Sequence, residues 1–204
     1  ERQQPQVVLP PPQPSAHHRQ VIQEGGVLGR RDRLVPHGDE LAAHVAQQQR
    51  RAPAVAPVAA GGTLDNTDGA LASLNGLVIT LDNALLNSKG LISSEGELSV
   101  NAGSVDNSAG NLGSAGALSI VSNGGLTNQG GSISTDAALT LNSASLDNSQ
   151  KGIISGNAAT QITTGALNNS QGGRLTSGNT LKLSATQVNN AAGRIASSQA
   201  LTAS

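Results

Sequence analysis

The stretch Leu146-Asp147-Asn148-Ser149-Gln150-Lys151-Gly152-Ile153-Ile154-Ser155 returns 21 residues later as Leu167-Asn168-Asn169-Ser170-Gln171-Gly172-Gly173-Arg174-Leu175-Thr176-Ser177. Working outward from its Asn, the same frame recurs at Asn66, Asn87, Asn107, Asn128, Asn148, Asn169 and Asn190, in steps of 20 or 21 residues. Two residues before each Asn stands Leu64, Leu85, Val105, Leu126, Leu146, Leu167 or Val188. Three or four residues after it stands a Gly, from Gly69 to Gly193, and two residues beyond each Gly another aliphatic, from Leu71 to Ile195. A fourth column runs Leu77, Leu98, Leu118, Leu139, Thr160, Leu181, Leu201, and a fifth runs Ile79, Val100, Ile120, Leu141, Ile162, Leu183, Ala203.

Within each copy the pattern alternates apolar and polar, as in Leu98-Ser99-Val100 and Leu181-Lys182-Leu183, which is the period of a strand and not of a helix. The Asn-x-x-Gly unit is turn chemistry, because Asn and Gly tolerate positive φ. Short strands that return to register every 20 or 21 residues predict an all-β chain, a parallel β-solenoid of about seven coils over residues 61–204. One copy holds too few aliphatic side chains to fold alone. Stacking copies about 4.8 Å apart buries each coil against its neighbours. In this reading Leu146 points inward and Ser149 lies on an exposed turn. The Asn column has two structural readings, a ladder of amides bonded along the rod or a local device that holds each turn; neither makes it a ligand site.

Composition narrows the function. The 204 residues contain no Phe, Trp, Tyr, Met or Cys, which removes aromatic stacking platforms, disulfides, thiolate metal sites and cysteine nucleophiles. A formal net charge of -1 with 12% charged residues argues against binding to nucleic acid or to an acidic membrane. No apolar run approaches the ~18 residues of a membrane helix, so no membrane insertion is expected. The first residue is Glu1, and a piece of a longer protein is expected.

Usage inverts at Gly61. All 8 Pro and all 4 His lie in residues 1–60, which contain no Asn, Thr or Lys. The chain therefore divides into a Pro/Arg/Gln/Ala-rich segment, 1–60, expected to be disordered and outside the solenoid, and the repeats, 61–204. Such usage is also what GC-rich DNA yields in a wrong frame, so a frameshift origin is a second reading. Asp39 is placed to cap a short helix through Leu41, Ala42, Val45 and Ala46 to Arg51, ended by Pro53. His37, Asp39, Glu40 and His44, near His17 and His18, have metal-binding residue types but not His-Glu-x-x-His spacing.

Within 61–204 there is neither His nor Cys, so a Ser-His or Cys-His nucleophile is excluded there. Glu95 and Glu97 form the one close acidic pair, which reads as a solvated turn because a glycosidic centre needs a cleft. Asp65 to Gly69 has the start of a calcium loop without the remaining ligands. Thr163-Thr164 and scattered threonines do not make the flat array of an ice-binding face. No catalytic, metal or cofactor-binding residue is assigned.

The units 146–155 and 167–177, with Val105-Asp106-Asn107-Ser108-Ala109-Gly110-Asn111-Leu112, resemble the repeats of the filamentous haemagglutinin family, long exoproteins of Gram-negative bacteria exported by two-partner secretion. The resemblance covers residues 64–204 and implies a right-handed parallel β-helix. It also implies a non-enzymatic role: the shaft of a secreted, surface-displayed, outer-membrane-associated adhesin or contact-dependent inhibition toxin. The implied partners are neighbouring repeats of the parent exoprotein and a host or bacterial cell-surface receptor bound through other regions. The alternative is a carbohydrate-active β-helix enzyme, a polysaccharide lyase or hydrolase.

Overall fold

A computed structural model describes residues 56–204, which contain 18 strands and no helix. The coil that begins at Leu77 shows the plan. A first arm, Leu77–Leu81, bends into a second, Ala84–Leu86; a turn leads to a third arm, Leu91–Ser94, and a second turn returns the chain to Leu98. First and second arms of successive coils stack into an 11-stranded sheet and third arms into a 7-stranded one. Each pairing is parallel, from the Ala56–Ala60 strand on Leu77–Leu81 to Leu201–Ala203 on Leu181–Asn189. The molecule is a right-handed parallel β-solenoid of about seven turns, the hand that a right-twisted strand imposes on a parallel crossover.

The aliphatic columns of the sequence are the ladder register. Leu118 pairs with Leu98 and Leu139, Ile120 with Val100 and Leu141, Leu126 with Val105 and Leu146, and Ile133 with Leu112 and Ile154. These side chains are buried, and the residues between them face outward, so each inward residue packs on its own kind in the coils above and below. Burying each such side chain is worth about 1.5–3 kcal/mol. Only the stack can collect it, since a coil's apolar edges are closed by the next coil.

The change between 20- and 21-residue steps is absorbed at two places in the coil, the bend between the first and second arms and the Asn turn. Between the two arms, Asn123-Gly124 of one coil stands against Ala144 alone in the next, where the register shifts. At the Asn turn, Ser149-Gln150-Lys151 occupies the place that Gln129-Gly130 fills one coil earlier. The longer turn takes two left-handed residues, Gln150 and Lys151, and draws Ser149 inside. Ser149 is therefore 2% exposed, a correction to its reading as an exposed turn residue.

The sheet takes in residues upstream of the compositional seam. Strand Ala56–Ala60 lies on the first arm with Ala56 opposite Leu77 and Val58 opposite Ile79, so it continues both columns and is not excluded from the sheet. Pro57 is compatible with that place because, among the described residues, the strand ends the sheet and half its ladder positions have no neighbour to bond. The helix expected over Leu41 to Arg51 lies outside the described residues.

Two exceptions to the pattern sit against each other. From Ser73 to Ser177 the third arm ends on a buried hydroxyl, Ser73, Ser94, Ser114, Thr135 or Ser177, except at Gly156; from Leu77 onward the first arm begins on Leu except at Thr160. A β-carbon on Gly156 would stand 2.7 Å from Thr160 Oγ1, and that hydroxyl is buried without a hydrogen-bond partner. The Thr160 hydroxyl thus occupies space that a Ser at 156 would need. Gly156→Ser alone should destabilise, whereas Gly156→Ser with Thr160→Leu restores the pairing used by Thr135 with Leu139 and should stabilise. A double-mutant cycle in urea should give about 1 kcal/mol or more of coupling; additive effects would refute the compensation.

Candidate functional site

The polar feature that unites the coils is the Asn column. Each Asn follows a second arm and turns its side chain into the interior, where Asn66, Asn87, Asn107, Asn128, Asn148 and Asn169 are fully buried. The Nδ2 of each donates to the Oδ1 of the next at 2.7 Å, from Asn66 to Asn87 and on to Asn190. The same Nδ2 donates to the carbonyl of the first third-arm residue of the following coil, as Asn128 does to Ile153 at 3.0 Å and Asn148 to Arg174 at 3.0 Å. It also reaches back to its own turn, Asn128 to the Gly131 carbonyl at 3.3 Å. The chain of amides is directional. Among the described residues it runs from Asn66, whose Oδ1 is buried and has no donor there, to Asn190, which is exposed.

The local turn is held by the preceding residue instead. Asp65, Asp106, Asp147, Asn168 and Asn189 each accept from the backbone N–H two residues on, at 2.9 to 3.3 Å, the Asx-turn geometry. The pair Asp-Asn thus divides the labour, the first residue holding the corner and the second joining the interior ladder. Asp147 also accepts from Gln129 at 2.7 Å and Asn168 at 3.2 Å, so it ties three coils. Burial pushes its carboxyl up, but the hydrogen bonds from Ser149, Gln129 and Asn168 outweigh that and hold it below the ordinary carboxylate value.

Glycine recurs after the turn for a steric reason, not for positive φ. The left-handed residues are those two or three after the Asn: Asp68, Lys89, Ala109, Gln150, Lys151, Gln171 and Ala192, with Gly130 and Gly172. The recurring spacing places Gly90, Gly110, Gly131, Gly152, Gly173 and Gly193 where a β-carbon would collide with the backbone carbonyl of the Asn one coil earlier. A third polar column escaped the sequence reading. Ser73, Ser94, Ser114, Thr135 and Ser177 bond the carbonyls of the second turn, for example Ser177 Oγ to Ala158 at 2.8 Å and to Thr180 at 2.9 Å. Its signal is a Ser or Thr four residues after the recurring Gly, visible beforehand but without an assigned role.

The other sequence candidates are dispersed. Glu95 and Glu97 are exposed on one turn, and the backbone of Gly96 between them is hydrogen-bonded into the stack. Asp65 holds a turn and Asp68 is exposed. Thr163 faces out while Thr164 faces in and accepts from Ser143 Oγ at 3.0 Å. The cluster of His37, Asp39, Glu40 and His44, with His17 and His18, lies outside the described residues. Among the described residues no group of three His, Cys, Asp or Glu side chains is placed to hold a metal, and no helix is long and apolar enough to cross a membrane. A shallow groove on the second arms is lined by Asp147, Asn168 and Gln187 among others.

No curated protein and no solved structure matches the chain. A family model of the haemagglutinin repeat matches residues 41–130, 127–185 and 157–204. The first match starts upstream of Gly61 and takes in the Ala56–Ala60 strand, and the successive matches run through the coils to the last residue. These matches cover well over half of the chain, and the chain belongs to the haemagglutinin repeat family.

Proposed function

We propose that this chain is a load-bearing shaft segment of a secreted, surface-displayed bacterial exoprotein, an adhesin or a contact-dependent inhibition protein, with the Asn column as its polar spine. The supporting observation is uniformity: across seven coils the aliphatic columns stay opposite one another, and the changes in coil length fall at the bend between the first two arms and at the Asn turn. Such a stack is stiff because bending must stretch backbone ladders on every arm and the interior amide chain together. Among the described residues the outward-facing side chains are mostly short and polar, which suits spacing rather than chemistry. Neighbouring repeats of the parent protein continue the rod, and a receptor is met elsewhere on that protein. The test is antibody labelling of the source bacterium with serum raised against residues 61–204. Labelling of intact cells, lost after protease shaving, is expected. Labelling that needs permeabilised cells would overturn surface display.

A further inference from the structure

Two breaks in the repeat meet in one turn of the solenoid, the stretch from Gly156 to Thr160. Thr160 stands in the first-arm ladder between Leu139 and Leu181. It is buried, and its hydroxyl has no hydrogen-bond partner. A hydroxyl shut between two leucines loses water and gains no bond in return. At the other end of that turn Gly156 holds the ladder place of Thr135 and Ser177 and supplies neither of the bonds that Ser177 makes, to the carbonyls of Ala158 and Thr180. The coils downstream are weakened in a second way. Residues 148–204 hold four cations, Lys151, Arg174, Lys182 and Arg194, and no acidic side chain. Arg174 and Arg194 are ladder neighbours, both exposed on the outer face of the third arms, and like charges set opposite each other destabilise a sheet.

The backbone ladders and the Asn chain run unbroken past this turn, with Ile133 opposite Ile154, Leu139 opposite Thr160 and Asn148 donating to Asn169 at 2.7 Å. Three further side-chain bonds cross the same step: Asn157 Nδ2 to Asp136 Oδ1 at 3.1 Å, Ser143 Oγ to Thr164 Oγ1 at 3.0 Å and Asn168 Nδ2 to Asp147 Oδ1 at 3.2 Å. Each of the three has at least one member open to water, which competes for the same groups, so they offset the buried defect only in part. In a stack where each coil touches only its neighbours, stability is a sum of coil and interface contributions, and the least stable interface decides where a partly folded rod divides.

We infer that the rod has a built-in yield point at the Gly156–Thr160 turn, where the coils of residues 157–204 open as a unit while the upstream coils stay folded. Under tension such a rod lengthens at one place and keeps its register elsewhere. That use rests on the shaft reading, but the yield point itself does not, so its failure would leave surface display untouched. Native-state hydrogen exchange of the full chain, read by mass spectrometry at low denaturant, is the test. Amides of residues 160–183 should exchange together, about tenfold or more faster than those of residues 77–147, with a step at the Gly156–Thr160 turn. Fraying alone would give a slope instead, fastest at the last strand and gone by residue 160. The double variant Gly156→Ser with Thr160→Leu should remove the step, and circular dichroism checks that it folds. A smooth slope, a step elsewhere in the rod, or a step that survives the double variant overturns the yield point.

Discussion

Asn128→Asp should lower stability by roughly 4 kcal/mol near neutral pH, although it changes one NH2 group to an oxygen. Asn128 is fully buried; its Nδ2 donates to Asn148 Oδ1 at 2.7 Å and to the Ile153 carbonyl at 3.0 Å, while its Oδ1 accepts from Asn107. A carboxylate keeps the last contact and turns the others into oxygen facing oxygen, in an interior that leaves the charge unpaired. Protonation would return one donor. The folded-state pKa of the new carboxyl is therefore raised, and the variant should be least impaired below the unfolded pKa and lose stability as pH rises through the folded one. Asn190→Asp is the control. That residue is exposed and only accepts, from Asn169 at 2.7 Å, so its loss should stay under about 1 kcal/mol. Urea midpoints measured at two pH values decide the matter, and equal losses at 128 and 190 would show that the interior ladder contributes little.

Gly131→Ala should cost about 3 kcal/mol or more. The added methyl would collide with the Asn107 carbonyl oxygen and stand 2.7 Å from Asn128 Oδ1. The obstacle is backbone on one side and a locked amide on the other, so the two coils must part where the ladder holds them together. Gly113→Ala removes the same glycine freedom from the unfolded chain but places its methyl on the outer face of the third arm, no closer than 3.8 Å to any neighbour. That variant should be neutral or gain a few tenths of a kcal/mol. Thermal unfolding of the pair separates close approach from backbone entropy. Similar melting temperatures would mean that the recurring Gly is not required by contact between coils.

Much of the solenoid was legible from residue order alone. The aliphatic columns from Leu64, Leu71, Leu77 and Ile79 onward are the ladder neighbours, because in a parallel stack the sequence period and the spatial repeat are the same quantity. Absence of aromatics was equally readable, since a narrow interior of fixed coil spacing has no room for a ring. What residue order could not decide was which atom each polar residue faces. Asn and Gly both suggest positive φ, yet the Asn side chains run inward along the axis and the recurring Gly are there to admit a neighbouring carbonyl; the left-handed places fall to residues such as Lys89 and Ala109. Ser149 was misplaced because one extra residue in its turn reverses its side, and a one-residue change is invisible to a pattern that tolerates 20 or 21. That Ala56–Ala60, upstream of Gly61, belongs to the sheet was hidden by composition, which records average usage and not whether two residues continue a column. Periodicity along one chain determined the coil and its core. Only the packing of one coil on the next decided the roles of Asn, Gly and Ser, because those roles are contacts between residues about twenty positions apart.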